Sequence, residues 1–170
     1  ECETMPLECW QTNGLGSSNV ARACIIQGVK RCIGISTDKA VRASTVYGAS
    51  KLTLEQIWRN QDIQHGTAFT LVRYGNVVAS RGSVIQTWRA QAAAGQILTI
   101  TDKRMTRFWM GPYAAVELVD RASELAHGQI LVPRMKALSV EALANIIAPG
   151  VATEETGFRS AEKLHEDLIH

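Results

Sequence analysis

The chain has 170 residues, of which 46% are hydrophobic and 20% charged, enough for a domain with a real core. Its formal net charge of +2 excludes the clustered basic face of a dedicated nucleic-acid or polyanion binder. No run of about 18 apolar residues occurs, which excludes a membrane-spanning helix, and the acidic, polar start Glu1–Gln11 has no signal-peptide character. The cysteines Cys2, Cys9, Cys24 and Cys32 form no C-x-x-C pair and no zinc-spaced cluster with His. They read as free thiols of a cytoplasmic, reducing compartment, with Cys24 and Cys32 as small core residues. No metal site is expected.

Periodicity then gives an alternating α/β order. Pro6–Gln27 is predicted helical, with Val20, Ala23, Cys24 and Ile26 on its apolar face and Gly28 as its stop. Arg31–Ser36 reads as a buried strand, Asp38–Thr45 as loop, and Val46 to about Asn60 as a helix. Thr67–Arg73 is a second strand, Gly75–Gly82 a loop, and Ser83–Ala94 a helix closed by Gly95. Further on, Ile97–Ile100 and Thr106–Met110 are extended, and Pro112–Ala126 is a helix with Pro in its first turn. Gln129–Val132 is a strand, Ser139–Ile147 a Ser-capped helix, and Ala161–Ile169 a final helix. Strands separated by helices imply a parallel sheet.

Three short patterns carry candidate chemistry. Asn13-Gly14-Leu15-Gly16 contains G-x-G, but a dinucleotide fingerprint follows an apolar strand and carries a third Gly. Here Leu7–Thr12 is no such strand, so the two glycines are read as aids to close helix packing. Tyr47 and Lys51 lie four apart at the start of a helix, so phenol and ammonium share one face. A neighbouring positive charge lowers a phenol pKa from about 10, which makes Tyr47 a candidate base toward a hydroxyl. Ser36-Thr37-Asp38-Lys39-Ala40 follows a strand, where an open α/β sheet places its ligand crevice. It brings a hydroxyl, a carboxyl and an amine together.

These motifs continue in a fixed order: Val46-Tyr47-Gly48-Ala49-Ser50-Lys51, Val72-Arg73-Tyr74-Gly75-Asn76-Val77, Ser80-Arg81-Gly82-Ser83-Val84-Ile85, Ile100-Thr101-Asp102, Met105-Thr106-Arg107-Phe108-Trp109 and Glu162-Lys163-Leu164-His165-Glu166. Together they resemble the UDP-N-acetylglucosamine 4,6-dehydratases and related polysaccharide-biosynthesis proteins of the extended short-chain dehydrogenase/reductase superfamily, over nearly the whole chain. The resemblance implies the C-terminal part of a Rossmann-like, doubly wound parallel sheet plus a small α/β substrate-binding cap. Residues 1–95 would carry the catalytic half of the cofactor domain and residues 96–170 mainly the nucleotide-sugar region.

The resemblance also implies a reaction: NADP (or NAD)-dependent removal of water from a UDP-hexose. Thr37, Asp38, Lys39, Tyr47 and Lys51 would be catalytic, with Tyr47, Lys51 and Tyr74 beside the cofactor. Asn76, Arg81, Ser83, Val84, Arg107, Arg159 and Glu162 would contact the UDP-sugar. Helices 6–27 and 46–60 would pair two copies into a homo-oligomer. The departures are Val41-Arg42-Ala43-Ser44-Thr45, where the family usually carries Pro and Asn, and Arg159-Ser160-Ala161-Glu162-Lys163, where it usually carries Arg-Pro-Gly-Glu-Lys. A glycine-rich turn after a first strand does not occur in the sequence, and the chain opens without an initiator Met, so it reads as the C-terminal part of a longer enzyme. Two alternatives stand beside the dehydratase reading: an inactive fragment lacking the cofactor loop, and a UDP-sugar 4-epimerase, against which Asp38-Lys39 argues.

Overall fold

A computed structural model describes residues 2–78, 80, 82–158 and 161–169. Along the chain α1 (Pro6–Trp10) runs through a π-helical turn at Gln11–Leu15 into α2 (Gly16–Ile26). Then come β1 (Arg31–Thr37), a 3₁₀ turn at Asp38–Ala40, α3 (Val46–Arg59), β2 (Ala68–Tyr74), β3 (Asn76–Val77) and α4 (Val84–Ala93). The remaining elements are β4 (Leu98–Ile100), β5 (Thr106–Met110), α5 (Pro112–Ala122), β6 (Ile130–Leu131), β7 (Lys136–Ser139), α6 (Val140–Ile147) and β8 (Thr153–Glu155). They fall into two compact units interleaved in sequence: residues 1–74, 113–134 and 167–170 form one, residues 75–112 and 135–166 the other.

The first unit holds a parallel sheet in the order β1-β2-β6. Its middle strand is covered on both faces, as parallel sheets are. Phe69 and Leu71 pack with Ala21, Leu54 and Trp58 of α2 and α3. Val72 turns the other way, onto Leu118 and Ala122 of α5. The sheet demands a glycine at position 34, because a Cβ there would meet Leu71 and the Trp58 ring at 3.0 and 2.8 Å. The second unit holds a mixed sheet, β3-β5-β7, in which β7 is antiparallel, and a parallel pair, β4-β8. Its core joins Ile85 and Trp88 of α4 to Leu98, Ile100, Leu143, Ala144 and Ala148.

The predicted helix at Ala161–Ile169 is not formed. Ala161 stands at φ +66, and carbonyls of this segment, among them Lys163 O and Leu164 O, which a helix would use internally, serve other elements. Leu164 O accepts from Thr106 N (3.1 Å) and from Arg107 (3.2 Å), Lys163 O accepts from Arg107 (3.0 Å), and Leu168 O accepts from Arg73 (2.9 Å). Helix α5 stops at Ala122 rather than Ala126, because residues 123–125 bond three residues back and Thr70 Oγ1 donates to Ala122 O. Strand β3 lies in the segment expected to be loop, and β7 and β8 lie where no element was expected. Two to four residues carry too little periodicity to register. Gly14 and Gly16 sit inside the helical run, where Asn13 and Cys9 both reach Ser50 of α3 (3.0 and 3.4 Å). The nearest atoms to a Cβ on Gly14 would be the Trp10 ring at 3.1 Å, and to one on Gly16 the Gln11 carbonyl at 3.3 Å, both in the same helical run rather than on α3.

Candidate active site

The candidate chemistry of the first unit gathers where β1 ends. Thr37 is extended (φ −147) and caps the 3₁₀ turn by accepting from Lys39 N at 3.4 Å. The turn fixes three side chains. Thr37 Oγ1 donates to Asp38 Oδ1 at 2.9 Å, and Lys39 Nζ donates to the same oxygen at 3.0 Å. Asp38 is fully buried, while the Lys39 side chain keeps 32% of its exposure. The other oxygen, Asp38 Oδ2, is buried and has no hydrogen-bond partner among the described residues. An orphaned buried carboxyl oxygen costs free energy unless something bonds it, so Asp38 is left with one oxygen still to be bonded.

Helix α3 brings up the second half of the site. Thr45 caps it by accepting from Gly48 N at 3.0 Å. Gly48 lies directly on the Lys39 carbonyl, where a Cβ would overlap it, and this contact sets Tyr47 against the turn. The Thr37 side chain is near enough to the phenol to pull its pKa down against the other influences on it. Tyr74 is paired with Thr37 across the β1–β2 ladder and also acts on Tyr47. Thr37, Asp38, Lys39, Tyr47 and Tyr74 are therefore brought together.

Electrostatics correct one expectation. Lys51 does not lower the Tyr47 pKa. Burial, then the Asp38 and Cys2 charges, raise it above the ordinary phenol value, and the Thr37 side chain opposes them. The Lys51 ammonium instead donates to Ile35 O at 3.1 Å, and burial lowers its own pKa. Burial also raises Tyr74.

Beneath the site lies a buried ion pair not singled out from the sequence. Arg73 of β2 bonds Glu55 of α3 in bidentate fashion, at 2.9 and 2.6 Å, and Ser36 Oγ donates to Glu55 at 2.5 Å. Ser36 directly precedes Thr37, so this clamp anchors the strand end that carries the candidate acid. The signal was present: one Glu on the apolar face of a helix and one Arg inside an apolar strand demand each other when buried.

The candidates of the second unit are a separate set. Asn76 pairs with Trp109 in the sheet. Ser83 caps α4 by position, yet its buried Oγ finds no partner among the described residues, and Val84 opens the helix. Arg107 is buried, and its guanidinium donates to the carbonyls of Thr106, Lys163 and Leu164, with Glu162 at 3.8 Å. Arg81 and Arg159 lie outside the described residues. No cluster of three or more metal-binding side chains occurs among the described residues, and no helix there is long and apolar enough to cross a membrane.

A parallel α/β sheet whose strand ends in Ser-Thr-Asp-Lys and feeds a Tyr-x-x-x-Lys helix is the Rossmann-like architecture of the short-chain dehydrogenase/reductases. Within that class the chain belongs to the family described as polysaccharide biosynthesis protein, whose model matches residues 1–170. It is 41% identical over 172 residues to a UDP-N-acetylglucosamine 4,6-dehydratase (inverting) of Campylobacter jejuni, covering 98% of this chain and 52% of that protein. It is 39% identical over 177 residues to a UDP-glucose 4-epimerase of Rickettsia bellii, covering 99% and 52%. The crystal structure of Pen from Bacillus thuringiensis superposes with a TM-score of 0.93 at 34% identity, covering 99% of this chain and 56% of that one. A dTDP-glucose 4,6-dehydratase from Streptomyces venezuelae, solved with NAD and TYD bound, shares the fold at a TM-score of 0.81 and 18% identity. The chain thus spans about half the length of the curated relatives it matches.

Proposed function

We propose that the protein containing this chain removes water from a UDP-hexose, of which UDP-N-acetylglucosamine fits the relatives best, to give a 4-keto-6-deoxy sugar nucleotide for polysaccharide assembly. The observation that carries this reading is Asp38, a buried carboxyl with one oxygen held by Thr37 and Lys39 and the other without a partner. Elimination needs an acid for the departing hydroxyl and a base for the neighbouring carbon, beyond the single base that oxidation requires. Asp38 protonates the 6-hydroxyl as it leaves, and Lys39 takes the proton from carbon 5. Thr37 turns its one hydroxyl proton from Asp38 to the 4-oxygen when the sugar binds, and Tyr47 takes the proton of the 4-hydroxyl.

Tyr47, Lys51 and Tyr74 fit a nicotinamide cofactor, NADP or NAD. Tyr47 and Lys51 share one helix face, and the half-buried, partly desolvated ammonium suits the ribose hydroxyls. A nicotinamide held there would supply a hydride acceptor for carbon 4 and a hydride donor for carbon 6. The raised Tyr47 pKa means that the phenol keeps its proton in the unliganded site. Its use as a base requires Lys51 to leave the Ile35 carbonyl and face it. In the second unit, Ser83 and Val84 at the start of α4 suit a diphosphate, because helix N-termini attract anions. Asn76, Arg81, Arg107, Arg159 and Glu162 are proposed to contact the same nucleotide. Arg107 would do so by giving up part of its hold on residues 163 and 164. Exposed Leu7, Trp10, Leu15 and Val20 on helices 6–27 support pairing of two copies through that segment together with α3.

The second reading, 4-epimerisation, is favoured by the 39% identity to the Rickettsia enzyme. One experiment separates the two. Incubation of the full-length protein with UDP-N-acetylglucosamine, followed by proton NMR, is expected to show a new 6-methyl signal. A product epimerised at carbon 4 with its 6-hydroxyl intact overturns the dehydratase reading.

A further inference from the structure

None of the four thiols has a part in the reaction proposed above, yet Cys24 and Cys32 touch. Cys24 Sγ and Cys32 Sγ lie 3.5 Å apart. We infer that Cys24 and Cys32 are a dithiol modification site, which a low-molecular-weight disulfide oxidises to a bond tying the end of α2 to β1.

The backbone holds both sulfurs in place. Helix α2 ends in a Schellman turn, with Gly28 left-handed at φ +65. Gly28 N donates to Ile25 O (3.1 Å) and Val29 N donates to Cys24 O (2.9 Å). Directly after it, Ala68 N donates to Lys30 O at 2.9 Å, and the β1–β2 register sets Cys32 opposite Phe69. A helix cap and a strand ladder thus fix the two ends of a short segment, and the thiols meet because of it. Both pack against the cluster of Ala21, Leu54, Trp58, Phe69 and Leu71. Both are only partly buried, unlike Cys9, so a small oxidant reaches them.

The chemistry balances as two exchanges. The Cys24 thiolate attacks one sulfur of the small disulfide, forms a mixed disulfide and expels one thiolate. The Cys32 thiolate then attacks the Cys24 sulfur, closes the ring and expels the second. Two cysteines are oxidised, one small disulfide is reduced to two thiols, and the protons of Cys24 and Cys32 pass to those thiols. The order follows from the environment. Burial and the neighbouring Cys24 thiol push Cys32 up to about 12, so Cys32 is the poorer first attacker. Conversion of Cys24 to a mixed disulfide removes the part of that shift due to its thiol.

The test uses the intact chain with oxidised glutathione, blocking of remaining thiols by iodoacetamide, and tryptic mapping. Cleavage after Arg22, Lys30, Arg31 and Lys39 separates the two cysteines. The expected result is one linked species joining peptides Ala23–Lys30 and Cys32–Lys39, about 2 Da lighter than the sum of the two free thiol peptides and split by dithiothreitol. Cys32→Ser is expected to trap glutathione on Cys24, because the closing thiol is gone. Recovery of both peptides alkylated from the oxidised wild type overturns the inference, as does a link that forms only in denaturant.

Discussion

Two fully buried carboxyls, Asp38 and Glu55, flank the end of β1 in the first unit, and they differ in one respect. Glu55 is satisfied on both oxygens, by the two-pronged Arg73 contact and by Ser36. Asp38 is satisfied on one oxygen only. The satisfied carboxylate holds elements together and leaves nothing to offer a ligand. The half-satisfied one lies on a short turn, next to an amine and a phenol, and its unmet oxygen is where the proposed reaction seats the substrate's 6-hydroxyl. The comparison teaches that bonding, more than burial, separates a structural buried charge from a reactive one.

The comparison breaks if the two carboxyls respond alike to mutation. The largest effect is expected at the reactive one. In the full-length protein, Asp38→Asn is expected to lower turnover by about 10²–10⁴-fold, with an unchanged circular dichroism spectrum and melting temperature. Loss of the fold would place Asp38 with the structural set. Tyr47→Phe is expected to stop the first hydride transfer, read as absent cofactor reduction in a single turnover.

At the clamp the expectation is reversed. Arg73→Met leaves the Glu55 charge buried and unpaired, which costs about 3–5 kcal/mol. Urea unfolding checks this, and a midpoint equal to wild type would show that the pair does not anchor β1.

A pH effect of intermediate size follows from Tyr47. Its folded pKa is raised, so the unfolded chain ionises the phenol first. The associated stability is fully present below about pH 10 and is lost as pH rises through the folded value. Tyr47→Phe is expected to flatten that loss in melts recorded across the alkaline range, and an identical slope would remove the assignment. The smallest effect is expected at Arg42, a non-glycine residue at φ +46. Its ion pair with Asp167 at 3.5 Å is exposed and worth little. Asparagine tolerates this left-handed backbone better, so Arg42→Asn is expected to stabilise by about 0.5–1 kcal/mol with no change in turnover.

Much of this was legible in the residues. The strand and the Tyr47 helix are local features, while the 3₁₀ turn lies in the segment expected to be loop, and Thr37, Asp38, Lys39 and Tyr47 lie within eleven consecutive positions. What the pattern missed was long-range. The resting place of Lys51 could not be read from spacing, because its ammonium has two candidate partners, the phenol four residues back on its own helix and the Ile35 carbonyl on a strand; in the unliganded structure it takes the second. The helix expected at Ala161–Ile169 failed for a related reason: its carbonyls were claimed by Thr106, Arg107 and Arg73, all far away in sequence.

By itself the sequence determined the alternating α/β order, the elements with long periodic apolar faces, and the order of the family motifs. Those follow from local propensity and from hydrophobic spacing, which each segment carries alone. The tertiary structure decided the interleaving of two units, the Glu55–Arg73 clamp, the contact of Cys24 with Cys32 and the unmet oxygen of Asp38. Each is a question of which polar group finds which partner once water is excluded, and that is settled only when distant segments pack.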